Sequence, residues 1–233
     1  MNPVSYSNPY VTAADAEATE RAAFIRNTYI HLAMALGLFV GIEAFLFSTG
    51  LAANIAGALL SVPWLVVLGA FMLVSWIADR WAQSDTSKAM QYLGLGAFVL
   101  AQAIIFVPLL VMAAMSSGVD VIWKAGITTG FLFGGLTLTA LLTRADFSFL
   151  RGILVIGSFV ALGIIVVGMI GGFSLGTWFS GAMVLIASIS VLYTTSNMVH
   201  HYRTDQYVAA SLGLFASIAL MLWYLIQIFM SRD

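Results

Sequence analysis

Seven long apolar stretches run from about residue 27 to the last few residues, separated only by short polar breaks. A helix needs roughly 20 apolar residues to cross a hydrocarbon core about 30 Å thick, and each stretch meets that length: 27–47, 57–78, 89–113, 120–142, 149–170, 174–198 and 207–230. Membrane barrels use strands of only about 10 alternating residues. With no water in the bilayer core the backbone must satisfy its own hydrogen bonds. The chain therefore reads as an all-α integral membrane protein, a seven-helix bundle forming one domain over 21–233. Only 8% of its residues are charged against 61% hydrophobic, too few charges to cover a water-soluble domain of this size.

Residues 1–20 carry Asp15, Glu17, Glu20 and two Asn-Pro pairs but no early basic cluster. They read as a polar, disordered or surface tail rather than a cleavable leader, with the first span as an uncleaved anchor. Arg21, Arg26, Arg80, Lys88, Arg144, Arg151 and Arg203 fall on one side of a seven-span chain, and Lys124 and Arg232 on the other. Positive residues stay in the cytoplasm. The amino terminus is thus expected to be cytoplasmic and the carboxyl terminus across the membrane, with a crossing seventh span that has no formal charge. A net charge of −1 offers no field for nucleic acid. The absence of cysteine removes thiol chemistry and cysteine-ligated metal.

Helices in lipid associate through close backbone approach at small residues. Gly126, Gly130 and Gly134 lie every four residues on one face of span four and are expected to pack against another helix; Gly37 with Gly41, and Gly94 with Gly96, repeat the idea less strictly. Pro108 removes a backbone donor inside span three and is expected to loosen it.

Ionisable groups at membrane depth are costly and mark functional candidates. Glu43, near the outer end of span one, must find a cation or water or take up a proton; snorkelling to the headgroups is the alternative. His31, near the inner end, more simply satisfies a backbone carbonyl or a neighbouring side chain. Asp79, Arg80, Asp85 and Lys88 read as a solvated inner rim. His200 and His201 point about 100° apart on a helix, a poor metal site, and no other set has ligand spacing. No metal or cofactor is expected. Tyr193-Thr194-Thr195-Ser196-Asn197 cannot all face lipid; they should face the bundle or a water-filled cavity, where Ser217 and Gln227 of span seven could meet them. A protease would need a Ser/His pair, paired aspartates or a His-Glu-x-x-His site at depth, and none is present. An enzyme is not expected.

The segment Phe133–Gly152, which ends Thr-Arg-Ala-Asp-Phe-Ser-Phe-Leu-Arg-Gly, resembles the span four to span five junction of the Bax inhibitor-1 family. Leu192–His200 resembles its late signature, Arg26-Asn27-Thr28-Tyr29 its entry into span one, and Leu225–Phe229 its last helix. The resemblance covers nearly everything after residue 21. It implies a last helix surrounded by the others, a leak of calcium or other cations, and protection under stress. Some bacterial members are linked to modulation of the FtsH membrane protease, so a membrane protease complex of the inner membrane is an implied partner. Leak channels of the family carry two aspartates that share a proton and gate with pH. Here those positions read Thr194 and Ser217, with Asn197 and Glu43 as further pore or gate candidates. Neither Thr nor Ser titrates in the physiological range, and hydroxyls bind Ca²⁺ less readily than carboxylates. The usual pH latch is absent.

Overall fold

A computed structural model describes residues 11–84, 87–143, 145–172 and 174–231. Eight helices follow one another: α1 (Ala18–Ser48), α2 (Leu51–Leu60), α3 (Trp64–Ala82), α4 (Lys88–Ser116), α5 (Val119–Thr143), α6 (Leu150–Gly171), α7 (Gly176–His200) and α8 (Tyr207–Met230). All but α2 are long and apolar enough to span a membrane. The chain is therefore an all-helical protein with seven candidate spans.

The second span differs from its expected bounds. The 57–78 stretch is broken at Ser61-Val62-Pro63. Proline disfavours helical backbone in the residue before it, so α2 ends at Leu60 and α3 starts afresh behind Pro63, running on to Ala82. The short α2 packs Ala52 and Ala56 against Leu46 of α1 and Val107 of α4, reached through a left-handed turn at Gly50 (φ 77°) that a side chain would strain. Pro108, by contrast, sits buried inside an uninterrupted α4.

Helix α8 packs against α1, α3, α4, α5 and α7, while α6 leans on α7. Phe215 of α8 and Phe106 of α4 both meet the ring of Phe39 edge-on, and Phe98 closes on Phe215 from α4. α8 runs without a break alongside α7, and beyond its last residue Thr177 Oγ1 donates to Ser231 Oγ at 2.9 Å.

At the other end, residues 11–16 are not a free tail. The Ala13 amide donates to the Tyr202 carbonyl at 2.8 Å, an isolated antiparallel bridge pairs Thr12 with Arg203, and Ala13 is fully buried. The start of the described chain is thus fastened to the α7–α8 loop at the end of the bundle that holds Arg80, Lys88 and Arg203, here the basic end. The described chain finishes at the opposite end.

Among the described glycines the tightest contact is at Gly94, where a Cβ would stand 2.5 Å from both the Ala78 carbonyl oxygen and the Ala82 amide nitrogen of α3. The Gly126–Gly130–Gly134 stripe does not pack as expected: nothing lies within 4 Å of a Cβ built at any of the three. The reason is rotational. α5 buries Val121, Ala125, Thr129, Thr137 and Ala140, and the glycines lie one residue on from that face, about 100° around the helix.

Candidate functional site

Successive residues of a helix point about 100° apart, and late in α7 three successive hydroxyls use this to reach three different parts of the bundle. Thr194 turns to α8, where its Oγ1 lies 3.5 Å from Ser217 Oγ. Thr195, fully buried, turns toward Tyr29 of α1, which also meets Thr137 of α5. Ser196 turns to the α5–α6 loop: it accepts from the Phe147 amide at 2.8 Å and donates to the Ala145 carbonyl at 3.2 Å. Of the run expected to face inward, Thr194, Thr195 and Ser196 are buried, whereas Tyr193 and Asn197 are half-buried. Asn197 contributes its backbone, its carbonyl accepting from the His201 and Tyr202 amides as the helix ends.

The facing polar residues of α7 and α8 form rungs in antiparallel register. Ser190 and Ser217 share a hydrogen bond at 2.8 Å, Ser217 also donates to the Gly213 carbonyl at 3.0 Å, and Thr194 Cγ2 sits against Gly213. Toward the opposite end Ser180 donates to Gln227 Oε1 at 3.0 Å, and Thr177 meets Ser231. Between these two polar segments the seam is apolar: Met183 and Tyr224 pack with Ala161, and Val184, Leu220 and Trp223 close around them. Each oxygen of the Ser180, Ser190, Thr194 and Ser217 set has a partner on the facing helix, so the seam is a closed contact of neutral groups. Ser180 and Ser190 were not expected from the sequence, where isolated serines among apolar residues look like ordinary small packing residues; the register with α8 distinguishes them.

Glu43 stands apart from the seam. It is 8% exposed, and neither carboxyl oxygen has a hydrogen-bond partner. It falls on the face of α1 that carries Phe39 one turn before it and Leu46 one turn after, both buried. α1 packs against α2, α4 and α8. The first and last of these contain no Asp, Glu, Lys, Arg or His, and α4 has only Lys88, at the basic end. A snorkelling carboxylate would be exposed; this one is enclosed without a counter-ion.

His31 satisfies a backbone carbonyl and a neighbouring side chain, as expected. His31 Nδ1 donates to the Asn27 carbonyl at 2.7 Å, which leaves Nε2 to accept from the Tyr92 hydroxyl at 2.9 Å. His200 Nδ1 donates to the Ser196 carbonyl at 2.9 Å. Among the described residues no three His, Asp or Glu gather as a metal site. Asp85 lies outside the described residues. In the α7–α8 loop burial, with Asp79 and Tyr193 nearby, pushes the Tyr202 hydroxyl up to about 12. Lys88 bridges to the same loop, donating to the Asp205 carbonyl at 2.6 Å and lying over the Tyr207 ring.

On the opposite side of the bundle a cavity of about 630 Å³ opens between α4, α6, α7 and α8. Its walls include Pro108, Met169 and Trp223, and its polar groups include Thr177, Ser180, Gln227 and Ser231.

Residues 21–233 match the family described as inhibitor of apoptosis-promoting Bax1. An uncharacterized protein of Pseudomonas aeruginosa is 30% identical over 231 residues, covering 94% of each chain. The Escherichia coli protein described as modulator of FtsH protease YccA is 34% identical over 127 residues, 51% of this chain and 56% of that one. A Helicobacter pylori protein is 27% identical over 228 residues, 93% of this chain and 97% of its own.

Proposed function

This chain belongs to the Bax inhibitor-1 family, and from that premise we propose that it is a bacterial inner-membrane protein that modulates a membrane protease, without acting as a proton-gated calcium channel. The observation that carries this reading is the α7–α8 seam. Two carboxylates held together would share a proton and so respond to pH; Thr194 and Ser217 supply hydroxyls instead, and α7 and α8 contain no acidic residue. The seam offers no titrating switch and no carboxylate for a hard divalent cation. The partial likeness to a protein described as an FtsH modulator supports the partner class. Under this proposal the basic end faces the cytoplasm, following the bias of Lys and Arg.

The test is affinity capture from native membranes in mild detergent. Recovery of an ATP-dependent membrane protease, with faster or slower turnover of its membrane substrates when the protein is removed, is the expected result. Capture of no protease and unchanged turnover would refute it.

A second reading, a cation leak without the pH latch, is favoured by Glu43, a buried carboxyl with no protein partner that a passing cation could meet. Purified protein in liposomes loaded with a calcium dye would then leak faster than empty vesicles, and Glu43→Gln would slow the leak.

A further inference from the structure

Helix α6 packs on α7 and makes no comparable contact with α4, and the cavity of about 630 Å³ lies in the gap that this leaves. Binding sites for small molecules span roughly 300–1,000 Å³, so the space is that of a ligand rather than of a packing flaw. Pro108, Leu109, Ile165, Met169 and Trp223 form apolar walls. Trp223 is held in place by stacking on Trp64 and by a T-shaped contact with Phe106. Pro108 lies about two turns before the end of α4, which sets the floor roughly 12 Å inside the helix ends. Leu60 and Met112 also line the cavity and are 57% and 49% exposed. The cavity therefore opens on an apolar surface, which in a membrane is covered by lipid.

The polar groups gather near its outer rim, early in α7 and late in α8. Ser180 donates to Gln227 Oε1 at 3.0 Å, and the Gln227 Nε2 hydrogens have no partner among the described residues. Tyr224 lines the same space, and its hydroxyl likewise makes no hydrogen bond among the described residues. No Asp, Glu, Lys, Arg or His is among the described lining residues. Unused donors beside apolar walls fit a ligand with a neutral acceptor and a long apolar body. A free fatty acid would bring a carboxylate into a site that has no counter-charge. The last turns of a spanning helix lie where the hydrocarbon core gives way to the headgroup region, the depth at which a phospholipid carries its ester carbonyls. We propose that the cavity binds one phospholipid from the leaflet opposite the basic end, its ester carbonyl meeting Gln227 and Tyr224 and an acyl chain lying between α4 and α6. The charged headgroup stays outside, and the chain fills the gap that α6 leaves. This site is separate from the Thr194–Ser217 contact and stands whether or not the protein binds a protease.

The test is photolabelling of the delipidated whole protein in detergent, with a phosphatidylethanolamine that carries a diazirine in its acyl chain. Labelling is expected to saturate at one lipid per chain and to map by mass spectrometry to Leu109, Ile165 and Met169. An ether-linked analogue, which lacks the ester carbonyls, is expected to bind about three- to tenfold more weakly, the worth of one or two neutral hydrogen bonds. The Tyr224→Phe Gln227→Met double variant should bind the ester lipid as weakly as the parent binds the ether lipid. Ile165→Trp, which fills the cavity from α6 and leaves the α7–α8 contacts in place, should abolish saturable labelling. Labelling that never saturates and falls on the exposed Phe159 and Val160 of α6 would overturn the proposal. So would equal binding of the ester and ether lipids by the parent, or saturable labelling unchanged in Ile165→Trp.

Discussion

Thr194 of α7 and Ser217 of α8 face each other with their side-chain oxygens 3.5 Å apart, and Ser190 shares the same Ser217 hydroxyl at 2.8 Å. Ser217 is the hub of this contact: it serves two residues of α7 and the Gly213 carbonyl of its own helix. Replacing it by alanine removes the hub and leaves Ser190 without its partner across the seam. Ser217→Ala is expected to cost about 1–2 kcal/mol, read as a lower melting temperature in detergent.

The same proximity predicts what a restored acid pair would do. In the Thr194→Asp Ser217→Asp double variant two carboxyls would be held within hydrogen-bond reach, and they could not both ionise cheaply. The variant is expected to lose stability as pH rises from 5 to 8 and the parent to show no such trend, measured by thermal melts across that range. Liposome flux then asks separately whether the pair opens a path.

Gly94 and Gly130 should part company. A methyl group at Gly94 meets α3 backbone, which cannot swing aside as a side chain would, so Gly94→Ala should cost about 3 kcal/mol or more, at or above the upper end of the usual penalty for overpacking. Gly130→Ala meets open space and should leave the melting temperature of the isolated chain unchanged or slightly raised, since alanine is the better helix former.

In the α5–α6 loop the Ser148 amide donates to Asp146 Oδ1 at 2.9 Å, and that backbone hydrogen bond, first among its causes, holds the Asp146 carboxyl below the usual carboxylate range. Its folded value is the lower one, so the turn contributes fully above the ordinary carboxylate range and is lost as pH falls through the lowered value. Protection of the Ser148 amide, its exchange rate measured against the intrinsic rate at the same pH, should fall in acid, and Asp146→Asn should remove most of that acid dependence.

The chain has no cysteine, so single introduced thiols report sidedness cleanly. Gln83→Cys, at the basic end, should react with impermeant maleimide only from the cytoplasmic face, and Ser116→Cys only from the other. The reverse pattern would invert the proposed orientation.

Hydropathy made the helices legible because a membrane span has to be continuously apolar, and that requirement is local: α4, α5 and α8 begin and end within a few residues of the expected bounds. The break in the second span was legible too, in Pro63, a local constraint hidden within an apolar run. Residue type likewise marked Thr194, Ser217 and Glu43 as unusual at membrane depth. Their surroundings were not written in the chain order. The glycines of α5 match a packing motif, but which face of a helix meets a neighbour depends on how all seven helices rotate together, and that rotation turned the stripe away while bringing Gly94 onto α3. The partnering of Ser190 with Ser217, the enclosure of Glu43 by helices that bring no cation to it, and the meeting of Tyr29 with Thr137 and Thr195 join residues far apart in sequence. Apolar length is a property of each segment and could be read by itself; pairing across helices is a property of the packed bundle, and only the tertiary structure decided it.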